Sequence, residues 1–315
     1  MQLITDIENF KNNGLALTIG FFDGVHAGHR FLIRQMDEIA KREGLQSAIL
    51  TFWPHPRLVL DEEYKPRLLN SFPEKIDLLS KLSLDYCIQI NFTHDFANYS
   101  AYEFMQEILQ KKLNVKHLLI GYDHRFGKNR EEGFDDYCRY GAELGIKVSH
   151  IQPYEENGST ISSSFIRRLL ISGNIKSANQ SLGYPFMFKG VVVDGFKLGR
   201  KIGFPTANLQ LSFEYKCVPD VGVYAVWVEV EKAIYGGMLY IGNRPTVANG
   251  EEPSIEVNIF DFDGNLYGKE LTITFVDRIR EQKKFQNVEL LKEQLNCDKQ
   301  VVRKVLAGEN ATLVR

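Results

Sequence analysis

Several features are scarce or missing in this 315-residue sequence, and each gap removes a class of function. Cysteine occurs four times, at Cys87, Cys138, Cys217 and Cys297, far apart and in no CxxC pair. Disulfide frameworks belong to small secreted domains with closely spaced cysteines, so these read as reduced, mostly buried thiols. No apolar run is long enough to span a bilayer. Residues Met1 to Asn13 are polar and acidic, without the basic start and apolar stretch of a signal peptide. There is no basic excess: 38 Lys and Arg face 40 Asp and Glu, giving a net charge of -2. A general nucleic-acid or membrane-surface binder would carry the opposite bias. The expectation is a cytoplasmic protein, monomeric or weakly oligomeric, without nucleic-acid or membrane partners. Two chemical signatures are also missing. No GxxxxGK[ST] loop occurs, which argues against a Walker-type kinase, and no lysine-rich KMSKS loop occurs.

What is present is ordinary globular composition, 44% hydrophobic and 25% charged, in a chain long enough for two domains. The first half alternates strand-like runs (Leu15–Ile19, Ala48–Phe52, Tyr86–Phe92, His117–Ile120, Ile146–Ile151) with helical spacing. Phe31, Leu32, Met36, Ile39 and Ala40 lie on one helical face, and Gly44 stops that helix. Ser71/Glu74 and Ser100/Glu103 are spaced as capping boxes. This alternation predicts a doubly wound parallel α/β sheet. After Gly183 the pattern changes to short β-branched or aromatic runs separated by turn residues: Val191–Val193, Tyr224–Val230, Met238–Ile241, Ile255–Phe260 and Leu271–Phe275. They predict a small antiparallel barrel or sandwich, followed by a helix over 287–306. The expected domains are 1–182 and 183–315.

The most informative segment is Gly20-Phe-Phe-Asp-Gly-Val-His-Ala-Gly-His29, placed between a strand and a helix. Ligands of open α/β sheets bind at the carboxyl ends of strands, and a helix N-terminus presents free N–H groups to phosphate. Gly20, Phe22, Asp23, Gly24 and Gly28 form the turn, whose glycines let the backbone approach a ligand. His26 and His29 are donors suited to charge that builds on a triphosphate during adenylyl transfer. The competing reading is that both rings only cap the helix or fill the core. Downstream, Ser162, Ser163 and Ser164 precede Arg167: hydroxyls that cap a helix or meet phosphate oxygens, then a permanently charged fork.

The second half offers Gly195, Gly199 and Gly203 with Lys197, Arg200 and Lys201, a basic glycine-spaced loop that either wraps phosphates or is a solvated hairpin. Pro205-Thr-Ala-Asn208 follows. Thr206 and Asn208 place two neutral oxygens on one face of an extended segment, the ligand type that Mg²⁺ takes alongside substrate phosphates.

These motifs resemble known families. The histidine turn with Ile161-Ser-Ser-Ser-Phe-Ile-Arg167 resembles the HxGH nucleotidyltransferases and their ISSTxxR element, with serine at Ser164. Thr51-Phe-Trp-Pro-His-Pro56 and Gly121-Tyr-Asp-His-Arg-Phe-Gly127 resemble segments of bacterial FAD synthetases. They imply flavin contacts from His55, Asp123 and Phe126; core packing is the other reading of Phe126. The Pro205–Asn208 motif, Glu256-Val-Asn-Ile-Phe-Asp-Phe262 and Arg278-Ile-Arg-Glu-Gln-Lys-Lys-Phe285 resemble riboflavin kinases. On the kinase side the resemblance implies ATP contacts from Gly195, Gly199, Arg200, Gly203, Pro205, Thr206 and Asn208. It also implies Mg²⁺ ligation by Thr206 and Asn208, Glu256 as catalytic base, and Arg280 near the flavin. Without it, Glu256 reads as a solvent-facing strand residue. In tandem, the two halves resemble the bifunctional bacterial riboflavin kinase/FMN adenylyltransferases. The implied ligands are riboflavin, FMN, FAD, ATP and ADP. In this reading His29, Arg167 and Glu256 are catalytic, and the adenylyl site holds ATP with Gly20, Phe22, Asp23, Gly24, His26, Gly28 and the three serines. The rivals are an adenylyltransferase for another phosphorylated substrate, which would leave Thr206, Asn208 and Glu256 without a job, and a flavin or nucleotide sensor.

Overall fold

A computed structural model describes residues 1–61, 63–122, 124–156, 158–195, 199, 202–243 and 253–309. By backbone contacts the chain divides into two compact units, one of residues 1–66 and 70–162, the other of 67–69 and 163–315.

The first unit is built on six strands: β1 (Gln2–Ile4), β2 (Leu15–Ile19), β3 (Gln46–Trp53), β4 (Tyr86–Asn91), β5 (Val115–Ile120) and β6 (Lys147–His150). Their order is β1-β4-β3-β2-β5-β6, and every pairing is parallel. β2 is buried along its whole length, which explains why it reads as an unbroken apolar run rather than an alternation. From β2 the chain winds outward through β3 and β4, then returns to place β5 on the other side of β2. The crevice of such a sheet opens where the winding reverses, beyond the carboxyl ends of β2 and β5. The turn at Gly20 and the segment at Gly121 leave the sheet at those two ends.

Helix α1 (Ala27–Glu43) buries Ile33, Met36 and Ala40 at spacings of three and four, and ends where Gly44 adopts φ 67°. Both expected capping boxes form, at Ser71/Glu74 and Ser100/Glu103. The second opens a helical turn, Ala101–Glu103, that continues as a π-helix over Phe104–Lys112. A two-stranded ribbon, β7 (Glu155–Glu156) with β8 (Ser159–Thr160), ends the unit.

The second unit holds a closed antiparallel barrel of β9 (Met187–Val193), β10 (Ala207–Leu211), β11 (Gly222–Val230), β12 (Ala233–Asn243), β13 (Pro253–Ile259) and β14 (Glu270–Arg280). Its order is β10-β13-β12-β11-β14-β9. Closure leaves no exposed sheet edge. Leu239 pairs with Val257 and Ile241 with Ile255 in the buried interior. On the opposite strand face, Val223, Ala225 and Met238 pack with Val302 and Leu306 of the terminal helix Val288–Ala307. Asn287 caps that helix by accepting the Leu290 N–H.

The doubly wound sheet and the barrel agree with the fold expected from the sequence. Strands β1 and β10 and the ribbon were not anticipated. β1 is three residues long and the ribbon strands two, too short to show a period, and β10 begins inside the Pro205–Asn208 motif. Helices Ser163–Ile171 and Ile175–Leu182 group with the barrel, whereas the sequence reading assigned them to the first domain. Side-chain bonds account for the grouping: Asn179 donates to the Phe275 carbonyl at 2.9 Å and accepts from the Phe186 N–H at 2.8 Å, and Arg278 donates to the Ser172 carbonyl.

Candidate active sites

In the first unit, the Gly20–His29 turn is tightly wound. Phe22 (φ 55°) and Val25 (φ 38°) both hold left-handed backbone, costly for a bulky or β-branched residue. Gly28 is a place where no other residue fits easily. A Cβ there would lie 3.1 Å from the Ile161 carbonyl oxygen and 3.2 Å from the His26 Nδ1. The start of the serine motif thus lies directly against the histidine turn.

His26 caps α1, its Nδ1 accepting the His29 N–H at 3.4 Å, so the capping role seen in the sequence is realised. The two imidazoles stack, with centroids 3.6 Å apart and planes 24° from parallel. The Nδ1 of His29 is buried and makes no hydrogen bond among the described residues. Burial first, then the neighbouring His26 and the charge of Lys75, hold the His29 ring well below the usual histidine range. A neutral imidazole keeps one donor and one acceptor nitrogen. Asp23 accepts the Asn70 N–H and is buried.

His55 caps a short helix, accepting the Arg57 N–H, and sets its ring edge-on to Phe21 at 4.4 Å. Trp53 lies parallel to Phe21 with centroids 6.3 Å apart and tilted against Phe72 at 5.2 Å. Phe126 is placed differently. It is buried in the main core, stacked on Tyr137 at 4.1 Å and edge-on to Phe104, as the packing reading expected of a buried aromatic. Asp123 lies outside the described residues.

Ser162 ends the first unit, and Ser163 begins the helix Ser163–Ile171 of the second. Within that helix Arg167 Nη2 donates to Ser164 Oγ at 3.1 Å.

In the barrel, cross-strand register brings together residues far apart in sequence. Asn208 on β10 pairs with Glu256 on β13, and Glu256 pairs with Tyr240 on β12. Tyr240 in turn pairs with Val223 on β11, and Val223 with Arg280 on β14. Directly paired residues share a sheet face, so one row around the barrel carries Asn208, Glu256, Tyr240 and Arg280. Thr206 Oγ1 donates to Glu256 Oε2 at 3.0 Å, tying the motif to the acid. The Tyr240 phenol is pushed up, by burial and by Glu256, with Arg280 opposing. Arg280 is held by Asp298 of the terminal helix, which is buried and also accepts from Gln294.

Two glycines of the loop lie close against the 204–208 segment. A Cβ on Gly195 would sit 2.0 Å from the Asn208 amide nitrogen, and one on Gly199 would sit 2.2 Å from the Phe204 carbonyl oxygen. A cavity of about 330 Å³ opens beside Asn208, with Gly195, Thr206, Phe262, Asn265 and Tyr267 also in its lining. The donor set is two neutral oxygens, from Thr206 and Asn208, with a carboxylate alongside: hard oxygen ligands that fit Mg²⁺ better than a softer metal. Among the described residues no cluster of three His, Cys, Asp or Glu side chains forms a protein-only metal cage. Gly203 and Pro205 lie in the same turn, with the Pro205 carbonyl accepting from Asn258. Arg200, Lys197 and Lys201 lie outside the described residues, as do residues 244–246.

Gly195→Ala is expected to push Asn208 aside and raise the KM for ATP in phosphorylation about tenfold or more, because small displacements of positioning groups are amplified at a reacting centre. Steady-state kinetics at varied ATP check this.

Sequence reasoning missed Lys75, Tyr240 and Asp298. Each belongs to a regular strand or helix pattern and carries no local motif; only register or packing brings it to a site.

An α/β unit with a histidine turn at its switch point, joined to a closed barrel with an oxygen-ligand motif beside an acid, defines a two-domain transferase acting on nucleotide phosphates. Residues 8–165 match the family model for FAD synthetase, and residues 182–306 match that for riboflavin kinase. The chain belongs to the bifunctional riboflavin kinase/FMN adenylyltransferase family. It is 39% identical to the member from Listeria monocytogenes over 92% of each chain. It is 38% identical to that from Bacillus subtilis, covering 90% of each. With the member from Escherichia coli K12 it shares 36% identity, over 96% of this chain and 97% of the other. A crystal structure described as a macrolide-efflux protein from Streptococcus pneumoniae superposes with a TM-score of 0.85 at 33% identity, covering 96% of this chain and 98% of that one. Among the described residues no helix is long and apolar enough to cross a membrane.

Proposed function

We propose that residues 183–315 transfer the γ-phosphate of ATP to riboflavin, and that residues 1–182 then join the AMP moiety of a second ATP to the resulting FMN. The observation that carries the kinase half is the Thr206–Glu256 hydrogen bond, with Asn208 as the cross-strand neighbour of the same acid. Glu256 takes the proton of the terminal ribityl hydroxyl as its oxygen bonds to phosphorus and ADP departs. Thr206 and Asn208 would hold the metal of Mg²⁺-ATP, whose charge would offset that of the transferring phosphate. Gly195, Gly199 and Gly203, with Arg200 and Pro205, shape the phosphate loop. Arg280, fixed by Asp298, faces the flavin.

In the adenylyl step an FMN phosphate oxygen attacks the α-phosphorus of ATP, and pyrophosphate leaves. That nucleophile is already ionised near neutral pH, so the site needs charge stabilisation rather than a strong base. His29 and His26 supply donors at the N-terminus of α1, beside the backbone of Gly20, Phe22, Asp23, Gly24 and Gly28. The resemblance assigns phosphate contacts also to Ser162, Ser163, Ser164 and Arg167, and flavin contacts to His55 and Asp123. The core position of Phe126 favours support of that segment over direct contact. Both steps consume ATP, which supports a cytoplasmic location, and we expect a monomer or weak oligomer.

Incubation of purified protein with riboflavin, ATP and Mg²⁺, followed by chromatographic separation of the flavins, tests the whole reading. FMN should appear first and FAD after it. Riboflavin returned unchanged, with FMN also left unconverted when supplied directly, would overturn it.

A further inference from the structure

Lys75 is out of place by ordinary rules. Lysines are almost never fully buried unless paired, yet this one is 2% exposed. It sits on the helix Phe72–Ser80, and its ammonium reaches the carboxyl ends of two central strands. Nζ donates to the Phe21 carbonyl at 3.0 Å and to Thr51 Oγ1 at 3.0 Å. Thr51 Oγ1 donates to the same Phe21 carbonyl at 3.2 Å, closing a triangle. Three aromatic rings surround the charge: Phe21 at 4.2 Å, Phe72 at 5.4 Å and Trp53 at 5.7 Å. Cation–π contacts of this kind are strongest when the cation is desolvated. Phe21 belongs to the histidine turn, and Thr51 and Trp53 to the segment that resembles the flavin side of FAD synthetases. One buried cation therefore ties the two halves of the first unit's site together.

Core lysines used only for packing would be better replaced by an apolar side chain, since a buried charge seldom repays its desolvation. A charge kept here, behind a pair of imidazoles and beside a buried aspartate, points to use. We propose that Lys75 is a positioning residue for adenylyl transfer: its ammonium pins the Gly20–His29 turn to the end of β3 and sets a fixed positive charge behind the His26–His29 pair. The proposal rests on the adenylyl-transfer reading of that site and assigns a residue that no motif marks.

The charge is also titratable within reach of ordinary assays. Burial pulls the Lys75 ammonium down to about 8, with Asp23 opposing. The titratable groups facing it are Cys87 on β4, Asp23 in the turn, and His29, whose own ring feels the Lys75 charge. Cys87 is pushed up by burial to about 12 and stays a neutral thiol across the assay range. As pH rises through about 8 the ammonium discharges, so adenylyl transfer should decline on that limb.

The test uses the full-length protein and three readouts: FMN-to-FAD rate, riboflavin-to-FMN rate, and the pH profile of the former from 6 to 9.5. Lys75→Met keeps the aliphatic stem and removes the charge. It should lower kcat for FAD formation about tenfold to a hundredfold, leave FMN formation unchanged, and lose the limb near pH 8. Lys75→Arg keeps a charge that does not titrate. It should recover part of the rate and hold it to higher pH. Lys75→Met with wild-type kcat, KM and pH profile would overturn the proposal, as would parallel loss of both activities. Should neither variant fold, as judged by circular dichroism, the wild-type profile decides: a rate constant from pH 7 to 9.5 refutes the role, and a decline near pH 8 supports it. His29→Ala, assayed in parallel, separates the two ideas. An inactive His29→Ala beside an unaffected Lys75→Met removes Lys75 and keeps the site; a fully active His29→Ala removes the site itself.

Discussion

Glu256→Ala is expected to stop FMN formation from riboflavin while FAD formation from added FMN continues. The kinase rate should fall about 10² to 10⁴-fold, the usual contribution of a positioned general base. The fold should tolerate the change. Glu256 lies on the strand face opposite the interior residues Ile255 and Val257, and among the described residues its removal breaks one side-chain hydrogen bond, that from Thr206. Glu256→Gln sharpens the test, because it retains an acceptor for Thr206 but cannot take a proton. If both variants lose phosphorylation equally, proton transfer is the function lost. If Glu256→Gln keeps wild-type kcat, Glu256 only orients Thr206, and the base must be sought elsewhere. Chromatographic rates of riboflavin consumption under saturating Mg²⁺-ATP decide between them.

His29→Ala is expected to do the reverse. FAD formation should fall about 10² to 10³-fold, the cost of deleting one preorganised donor at a centre of developing charge, with FMN formation unaffected. The ring stacks on His26 and meets the edge of Phe22 at 5.2 Å, so its loss also loosens the turn. His29→Asn retains a donor of similar reach and should recover part of the rate. The pH dependence carries a sign. Burial, His26 and Lys75 hold His29 well below the usual histidine range. The ring therefore stays neutral as pH falls through the range where a free histidine ionises, and FAD formation should persist there without a histidine-like acid limb. The same shift affects stability. A base held neutral in the folded state is penalised only when protonated, so His29 disfavours the fold as pH falls below the ordinary histidine value and is neutral in effect above it. A sharp loss of FAD formation centred near the ordinary histidine value would sink the assignment of a neutral, buried His29.

Local chemistry alone settled much about this protein. Period and turn residues marked a parallel α/β half and an antiparallel half, because a buried central strand such as Leu15–Ile19 and a capped helix such as Ala27–Glu43 are each decided by residues close in sequence. The motifs at Gly20–His29 and Pro205–Asn208 were legible for the same reason: a turn that combines glycine, hydroxyl and imidazole at short spacing is written in contiguous residues. The placement of Glu256 beside Thr206 and Asn208 was not legible, since barrel register is a matter of pairing between strands fifty residues apart. Phe126 showed the same limit from the other side: sequence offered it equally to flavin and core, and its stacking on Tyr137 and edge contact with Phe104 became visible only in the fold. Lys75 was invisible in its helix because nothing near it in sequence differs from a surface lysine. Only the folded sheet, by bringing the Phe21 carbonyl, Thr51 and three aromatic rings around one ammonium, made it a buried charge; long-range burial and register are properties of the whole chain, which no window of residues contains.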